Sequence, residues 1–344
     1  MNMPDAIARV ISGEDLTGEE MTSVMRLIMT GSATPAQIGG FLVGLRMKGE
    51  TVLEVVAAAT VMRELSTRVV VDTKGLVDTC GTGGSGSNKF NVSTAAAIVA
   101  AAAGARVAKH GNRGASSKSG SADLLEAAGA NVMLTPAQVA RCIEQTGIGF
   151  LFALSHHSAM KHAIGARKEM VVRTIFNVLG PLTNPAGAER QVLGVYEKRW
   201  LRPIAEVLAR LGSKHVMVVH SDDGLDEISL SAPTAVAELK DGEVREYQLE
   251  PETFGFARVP LEEFVIADSQ ESLVMVREAL SAKNDGAMNF VALNAGAAIY
   301  VSGQTHSMAA GVEMALDAMG AGLAAEKFEE FVDFTNQLAV ETEA

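Results

Sequence analysis

The spacing of hydrophobic residues changes once along the chain, close to residue 70. Before that point apolar residues recur at helical intervals, as Met25, Ile28 and Met29 do and as positions 38–45 do again. Such stripes are typical of helices that pack on one another rather than of ligand sites. Residues 1–70 therefore predict a small all-helical domain or a subunit-contact face.

Start and stop signals in the same region support this interpretation. Three Thr residues each stand three positions before a Glu or Gln, so the hydroxyl can accept from a backbone amide while the longer side chain reaches back. The pairs are Thr17 with Glu20, Thr34 with Gln37 and Thr51 with Glu54. Gly31 and Gly49 are suitable stops for the intervening helices. We expect a helix to begin at each of the three boxes.

After residue 69, short β-like runs alternate with helix-like runs. The candidate strands are 69–71, 75–78, 106–108, 132–134, 215–219 and 290–293, and the candidate helices are 93–103, 122–128, 136–146 (with a further box at Thr135 and Gln138) and 200–211. This alternation predicts an α/β fold over residues 71–344, with a mostly parallel central sheet flanked by helices. Asp241 and Gly242 predict a hairpin turn.

Two glycine-rich loops each follow a candidate strand and lead into a candidate helix. The first reads G-T-G-G-S-G-S-N-K-F-N-V-S-T over residues 81–94, and the second reads K-H-G-N-R-G-A-S-S-K-S-G-S over residues 109–121. Glycine lets the backbone turn and approach a ligand, while exposed amides and the helix N-terminus attract anions. Both loops therefore predict phosphate binding at the carboxyl ends of strands.

Two nucleotide-binding motifs fit the first loop poorly. The P-loop pattern fails because Ser87 and Asn88 separate Gly86 from Lys89. The dinucleotide pattern G-x-G-x-x-G is present at 81–86, but the acidic residue expected about 20 positions later is missing from a basic stretch at 106–110. A dinucleotide-dependent enzyme is therefore the least favoured interpretation.

Charge and composition narrow the class of protein. The net charge of −12 argues against a nucleic-acid-binding surface, although local basic loops can still bind a small phosphate. Cys80 and Cys142 have neither disulfide nor metal-ligand spacing and favour a reducing compartment. The N-terminus lacks a secretory-signal pattern, and the longest apolar run, 95–105, is too short to span a bilayer. We expect a cytoplasmic globular protein without a membrane or nucleic-acid partner.

Several stretches together resemble the anthranilate phosphoribosyltransferase family. They are the two glycine loops, H-H-x-x-M-K-H at 156–162, R-K-E at 167–169, R-T-I-F-N-V-L-G-P-L-T-N-P at 173–185 and D-G-L-D-E at 223–227. The resemblance covers most of the chain. It implies transfer of the phosphoribosyl group of phosphoribosyl pyrophosphate to the amine of anthranilate in tryptophan biosynthesis, with Mg²⁺ as cofactor and a homodimeric assembly. It also implies that residues 155–185 rejoin the helical domain, with the active site between the domains.

The resemblance places the phosphoribosyl donor on both loops. The residues implied are Gly81, Gly84, Ser85, Lys89, Asn91, Val92, Ser93, Thr94, Lys109, His110, Gly111, Asn112, Arg113, Gly114, Ala115, Ser116, Ser117 and Ser121. Lys109 is the leading candidate for phosphate contact. Together with Asn112 and Arg167 it forms the implied catalytic set.

The same resemblance suggests where the metal and the acceptor bind. Mg²⁺ prefers oxygen ligands, which suits Asp226 and Glu227 in a polar loop, with the Ser93 hydroxyl as a third ligand. The two-pronged guanidinium of Arg167 suits the acceptor carboxylate. The other implied acceptor contacts are Gly81, His110, Asn112 and Pro181. An aromatic amine is neutral near pH 7. Correct positioning of the acceptor can therefore account for most of the rate without a strong general base.

The first loop departs from the family motif at two positions. The family usually has Asp where Ser85 stands and commonly an uncharged residue where Lys89 stands. We expect an altered Mg²⁺ dependence with activity retained, because Asp226 and Glu227 remain. A Mg²⁺ titration of the rate for the natural chain and for Ser85→Asp tests this hypothesis, and identical curves would refute it.

Two rival functions share the implied fold. A nucleoside phosphorylase would cleave a nucleoside with phosphate and would need no metal-binding carboxylate pair. A paralogue that binds nucleic acid is disfavoured by the negative net charge of the chain and by the presence of the implied acceptor residues.

Overall fold

The computed structural model describes residues 1–84, 86–114 and 117–340. Its first part consists of the helices α1 (Met3–Ile11), α2 (Gly18–Met29), α3 (Pro35–Lys48) and α4 (Val52–Glu64). All three predicted capping boxes are formed, with Thr17, Thr34 and Thr51 as the N-caps of α2, α3 and α4. Gly31 follows α2 and Gly49 caps α3, both with positive φ. The predicted helical start and the three helices that begin at the capping boxes are confirmed.

The rest of the chain alternates strands with helices. The strands are β1 (Leu76–Gly81), β2 (Arg106–Gly111), β3 (Ile148–Phe152), β4 (Arg190–Gly194), β5 (His215–Ser221), β6 (Thr234–Lys240) and β7 (Glu243–Leu249). The helices are α5 (Val92–Ala102), α6 (Ser121–Ala127), α7 (Pro136–Thr146), α8 (Ala153–His156), α9 (Lys161–Met170), α10 (Phe176–Leu179), α11 (Leu201–Arg210), α12 (Ser269–Leu280), α13 (Asp285–Ser302), α14 (Met308–Gly320) and α15 (Leu323–Val340).

The strands of the described residues form a single sheet. Its order is β3-β2-β1-β4-β5-β6-β7, and the first five strands pair in parallel. β6 and β7 are antiparallel additions joined at Asp241 and Gly242, whose φ values of 52° and 82° are those that a tight hairpin turn demands. The predicted hairpin turn and the mostly parallel α/β fold are confirmed.

Three predicted strands are wrong. Residues 69–71 and 132–134 are not strands, and Val69 instead donates its amide to the Pro185 carbonyl at 3.1 Å. Residues 290–293 lie inside α13. A run of buried apolar residues fits a core strand and a core helix equally well. α13 is buried on several sides because α5, α12 and α14 pack around it, so its apolar run shows no amphipathic period.

Helices cover both faces of the sheet and hold its loops in place. Met217 and Val219 of β5 point into the apolar cluster that contains α5 and α13, whereas Val216 and Val218 point into the cluster that contains α1–α4 and α11. This alternation is that of a strand buried on both faces. The alanine-rich α5 lets α13 pack closely against it, which sets the position of the α5 N-terminus at the end of β1.

The helix α9 packs on α2 and α3, and its Ala163 and Ala166 belong to the same apolar cluster as the first four helices. The domain division at residue 70, with 155–185 added to the helical part, stays a prediction. Within the described part of the chain, no single helix has the length and apolar character of a membrane span, and one bent pair, α14 with α15, meets that test only jointly.

Candidate active site

The two glycine loops leave neighbouring strands at the same edge of the sheet. The first follows Gly81 at the end of β1 and leads to α5, and the second follows Gly111 at the end of β2 and leads to α6. Because β1 and β2 are parallel neighbours, both loops lie at the carboxyl edge of the sheet. Ligands of open α/β sheets collect at this edge. The placement predicted for both loops is confirmed.

A segment distant in sequence braces the second half of the first loop. The Phe90 amide donates to the Phe264 carbonyl at 3.0 Å, and the Ile266 amide donates to the Asn88 carbonyl at 2.9 Å. Between these bonds Lys89 forms an isolated antiparallel bridge with Val265. Sequence reasoning missed this contact, because nothing in the local pattern of residues 264–266 marks it.

Asn91 connects the two loops to α12. Its side-chain amide donates to the Ser119 carbonyl at 3.2 Å, and its Oδ1 accepts from the Ser119 hydroxyl at 2.6 Å and from the Ser272 hydroxyl at 2.7 Å. The backbone amide of Asn91 donates to Ser272 Oγ at 3.0 Å. A little further on, the Thr94 hydroxyl donates to Ser121 Oγ at 3.1 Å. Asn91 and Thr94 therefore fix the loops relative to each other, and Ser272 is a supporting residue that the sequence did not reveal.

The acidic pair Asp226 and Glu227 faces the first loop. Asp226 Oδ2 accepts from the Gly83 amide at 2.8 Å, and Glu227 Oε1 accepts from the Ser93 amide at 3.2 Å at the start of α5. A Cβ on Gly81 would overlap the Asp226 carboxylate. The absence of a side chain there is thus what lets the pair approach the end of β1. The polar loop predicted from sequence does reach the glycine loop.

Gly194 makes the same approach possible from β4. A Cβ there would overlap the backbone carbonyl of Asp226, which cannot swing away as a side chain could. We expect Gly194→Ala to lower the free energy of unfolding by about 1–3 kcal/mol, the usual cost of overpacking. Denaturant unfolding measures this effect. Gly18→Ala is the matched control because nothing lies within 4 Å of its added Cβ, and equal losses in the two variants would contradict the steric argument.

Lys89 points its ammonium group at the acidic pair. Its Nζ lies 2.8 Å from Glu227 Oε2 and 3.7 Å from Asp226 Oδ1. Burial alone would lower the pKa of Lys89, but the charges of Glu227 and Asp226 outweigh it and raise that pKa. Burial also raises the pKa of Glu227, against the charge of Lys89. The sequence predicted that Lys89 contacts the donor but did not predict this ion pair.

The chemistry of the pair fits Mg²⁺. Among the described residues, no group of three or more His, Cys, Asp or Glu side chains is arranged so that it could hold a metal ion by itself. Mg²⁺ does not need one, since in phosphate sites it is usually held by one or two carboxylates, water and substrate oxygens. Asp226 and Glu227 provide two carboxylates, and the only cation that contacts them among the described residues is the ammonium group of Lys89. The predicted metal ligands thus offer a suitable donor set next to Ser93.

Lys109 is buried at the root of the second loop. Its Nζ donates to the Thr79 carbonyl at 2.5 Å and to the Ser93 hydroxyl at 3.4 Å. Burial lowers the pKa of Lys109, against the charge of Asp78 nearby. The ammonium group therefore lies between β1 and the start of α5, beside the predicted metal ligand Ser93.

The side chain of Asp78 links several parts of the site through hydrogen bonds. Its fully buried carboxylate accepts from the His110 amide at 3.0 Å and from the Asn184 side chain at 2.8 Å. Gln191 of β4 approaches the same carboxylate at 3.4 Å and donates to the Pro181 carbonyl at 2.7 Å. Burial raises the pKa of Asp78, against these hydrogen bonds. The root of the second loop and the predicted acceptor wall at Pro181 are therefore held by one network.

Two buried histidines lie beside this network. The His110 and His157 rings are 5.2 Å apart, and His110 Nε2 is buried without a hydrogen-bond partner in the described structure. Burial, reinforced by the neighbouring His157, holds the pKa of His110 well below its ordinary value. Burial lowers the pKa of His157 to about 4. Both rings are therefore neutral at pH 7, and His110 presents an unused polar atom.

The buried histidines make stability sensitive to acid. Between the folded-state pKa of His157, about 4, and its ordinary value of 6.5, the unfolded chain takes up a proton that the folded chain does not. The free energy of unfolding should therefore fall as the pH drops through this range, with about 2 kcal/mol lost from His157 between pH 7 and pH 5. Urea unfolding at both pH values checks this. His157→Gln should reduce the pH-dependent loss by that amount, and an unchanged loss would contradict the assignment.

Arg167 lies on α9, near Phe176. Its guanidinium carbon is 5.4 Å from the centroid of the Phe176 ring, and the side chain makes no hydrogen bond or ion pair with the described residues. Burial lowers the pKa of Arg167. A half-buried guanidinium of this kind keeps its donors for another partner. The arrangement agrees with its predicted use as a carboxylate contact, which stays a prediction.

Another arginine, Arg173, contacts the first loop and was missed from the sequence. Arg173 donates to the Gly84 carbonyl, and its guanidinium stacks 4.3 Å from the centroid of the Tyr196 ring. It also lies 3.7 Å from Glu197. The only sequence signal was its place at the start of the 173–185 motif.

The second loop holds its remaining predicted residues near the surface. Asn112 is exposed, and Arg113 forms a two-pronged ion pair with Glu126 of α6. The Gly114 amide donates to Asp123 Oδ2 at 2.8 Å. Val92 and Ser121 begin α5 and α6, and Ser117 donates to the Ser119 carbonyl at 3.2 Å. The predicted donor contacts Ser85, Ala115 and Ser116 lie outside the described residues.

Comparison with known families divides the chain between two sequence families. Residues 4–66 match the family described as the glycosyl transferase family, helical bundle domain. Residues 73–325 match the family described as the glycosyl transferase family, a/b domain. The second match covers most of the chain and includes both glycine loops and the acidic pair.

Individual proteins resemble the chain over nearly its whole length. The anthranilate phosphoribosyltransferase of Thioalkalivibrio sulfidiphilus is 63% identical over 97% of the chain and 99% of the relative. The crystal structure of the Thermus thermophilus enzyme of the same name has a TM-score of 0.91 at 44% identity, covering 96% of this chain and 99% of that one. The Saccharomyces cerevisiae enzyme in complex with PRPP and Mg has a TM-score of 0.87 at 26% identity, covering 97% and 98%.

Proposed function

The chain belongs to the anthranilate phosphoribosyltransferase family, and from this membership we propose how its residues share the reaction. It transfers the phosphoribosyl group of 5-phosphoribosyl 1-pyrophosphate to the amine of anthranilate and releases pyrophosphate, a step of tryptophan biosynthesis. The observation that carries the proposal is the meeting of two glycine loops and the Asp226–Glu227 pair at one edge of the sheet.

The donor phosphates bind to the two loops. Backbone amides of the first loop and the N-terminus of α5 provide fixed dipoles, and anions bind readily at such places. Lys109 is already positioned between β1 and Ser93 and adds a cation. Asn91 holds the loops together through Ser119 and Ser272, so they present their donors as one surface.

Asp226, Glu227 and Ser93 would hold Mg²⁺ in the complex with the donor. When bound, the ion neutralises charge on the diphosphate oxygens. The chain itself contributes the two carboxylates, whose orientation is fixed by the amides of Gly83 and Ser93. Support for the cofactor comes from the related yeast enzyme, which was solved in complex with PRPP and Mg.

Breaking of the bond at the sugar places negative charge on the leaving pyrophosphate and positive character on the ring. Preorganised donors aimed at the leaving group stabilise that charge more than they stabilise the ground state. Lys109 and the loop amides supply these donors. The ring carbon is then open to the acceptor amine.

The acceptor is positioned rather than activated. Arg167 is free to bind the anthranilate carboxylate, because its guanidinium has no ion-pair partner among the described residues. His110 is neutral at pH 7 and its buried Nε2 is available to orient the amine, with Asn112 and Pro181 as further contacts. The related yeast enzyme has also been solved in complex with 4-fluoroanthranilate. Correct placement can supply a large part of the barrier reduction.

A homodimer and a cytoplasmic location complete the proposal. Val43 and Met47 of α3 and Leu53 of α4 are large apolar side chains that remain exposed, which supports an apolar contact between copies. Cys80 and Cys142 are both free thiols, as is usual for proteins of reducing compartments. Sedimentation equilibrium tests the assembly, and a monomer at micromolar concentration would contradict it.

Loss of anthranilate fluorescence tests the function directly. The purified protein is mixed with anthranilate, Mg²⁺ and phosphoribosyl pyrophosphate, and the fluorescence should disappear at a rate proportional to enzyme concentration. Omitting the donor, or replacing it with a nucleoside and phosphate, is the control. Persistence of anthranilate together with phosphorolysis of the nucleoside would instead assign the protein to the phosphorylases.

A further inference from the structure

The ammonium group of Lys89 lies where a cation would bind the acidic pair. It is 2.8 Å from Glu227 Oε2 and 3.7 Å from Asp226 Oδ1, and all three side chains are about nine-tenths buried, with exposed fractions of 10%, 11% and 9%. Ion pairs this sheltered are only weakly screened by salt. With Lys89 present, the three side chains together carry one negative charge rather than two.

The fold holds Lys89 in place, so its ammonium group does not move freely as that of an exposed lysine would. Lys89 lies on the bridge to Val265, between the Phe90–Phe264 and Asn88–Ile266 backbone hydrogen bonds. The carboxylates are fixed independently by the amides of Gly83 and Ser93. Both partners of the ion pair are therefore held in place before any ligand arrives.

We propose that Lys89 is an internal counter-cation that competes with a free divalent cation for Asp226 and Glu227. In the donor-free enzyme it neutralises part of the charge that a metal needs, so the metal alone binds weakly. When the diphosphate of the donor arrives, its negative oxygens offer Lys89 a second partner and release the carboxylates. Lys89 thereby makes tight metal binding depend on the donor. This inference rests on the proposed function, because it takes the donor to be a diphosphate.

Binding of Mn²⁺ alone, in the absence of donor, tests the competition. Electron paramagnetic resonance of free Mn²⁺ gives the dissociation constant for the wild-type chain and for Lys89→Met. We expect Lys89→Met to bind Mn²⁺ about tenfold more tightly or better, because a buried positive charge next to the ligands has been removed. Lys89→Arg, which keeps the charge, should remain close to wild type.

Two further variants separate local competition from general effects. Lys118→Met removes one charge from the second loop at an exposed position, and it should change the Mn²⁺ dissociation constant less than twofold. The triple variant Lys89→Met, Asp226→Asn, Glu227→Gln should not show the tighter Mn²⁺ binding expected of Lys89→Met. If Lys118→Met tightens binding as much as Lys89→Met does, the effect is long-range charge and the inference is wrong.

Removing Lys89 leaves two buried carboxylates without a counter-charge and can weaken the fold. The rise in the thermal midpoint on adding Mn²⁺ is then the second readout, and it should be larger for Lys89→Gln than for wild type. Equal dissociation constants and equal midpoint shifts would overturn the inference. These measurements use no donor. If the enzyme consumes anthranilate but its Mn²⁺ dissociation constants and midpoint shifts do not depend on Lys89, only the role of Lys89 is refuted. An enzyme that fails the fluorescence assay refutes the proposed function instead.

Discussion

The double variant Asp226→Asn, Glu227→Gln is expected to lose roughly two to three orders of magnitude in kcat/KM for the phosphoribosyl donor, the range seen when a preorganised charge contact is removed. Both carboxylates are the predicted metal ligands, and the amides remove the charge while keeping the shape. Initial rates of anthranilate consumption at several Mg²⁺ concentrations measure the effect. The loss should be only partly recovered by raising Mg²⁺.

Asp222→Asn is the matched control for this double variant. It removes a carboxylate from the same loop, but Asp222 is exposed and contacts Lys198 at 3.5 Å and Gln248 at 3.3 Å. Its rate and Mg²⁺ dependence should stay near wild type. A double variant that retains more than about a tenth of the wild-type kcat/KM would exclude the pair as the metal site.

Replacing Arg167 with Ala should raise KM for anthranilate by roughly ten- to a hundredfold, the amount that corresponds to one charge-assisted hydrogen-bonded contact. KM for the donor should change less than twofold, because no hydrogen bond or ion pair joins Arg167 to either glycine loop in the described structure. Steady-state kinetics with each substrate varied in turn separates the two constants. The fold should be little affected, since the guanidinium stabilises no ion pair.

Two neighbouring substitutions sharpen this result. Lys168→Ala removes the next, exposed charge on α9 and should leave both constants unchanged. Arg167→Lys keeps the charge but loses the two-pronged geometry, so it should recover only part of the acceptor affinity. If the donor KM rises as much as the acceptor KM in Arg167→Ala, the residue supports the whole site rather than the carboxylate.

The local parts of the fold were predictable from the sequence. Capping boxes at Thr17, Thr34, Thr51 and Thr135 each mark the start of a helix, because the signal and its hydrogen-bond partners lie within four residues. The two glycine loops were placed correctly for a similar reason. Their predicted phosphate-binding role depends on backbone amides and helix ends that the sequence itself encodes nearby.

The long-range parts were not predictable. β3 and β4 were missed, and α13 was read as a strand at 290–293, because burial on all sides removes the periodicity that distinguishes the two structures. The supporting role of Ser272 and the contact from Arg173 to Gly84 join residues about 90–180 positions apart. Only the folded chain brings such pairs together.

The residues of the candidate site were only partly predictable from the sequence. The resemblance selected Asp226 and Glu227, and the structure shows that they reach the first loop. The partner of Lys89 could not be read from sequence, because the charge that it meets lies more than a hundred residues away.

The network around Asp78 limits how the enzyme can move. A carboxylate that accepts from β2 at His110 and from the Asn184 side chain, and that approaches Gln191 of β4, makes the strand ends one stiff base beneath the proposed donor and acceptor sites. With the donor and acceptor placed as proposed, the amine would approach the anomeric carbon from the helical side, where α9 carries Arg167 and packs on α2 and α3. Crystals with and without ligands should superpose closely on the sheet and differ in the tilt of those helices.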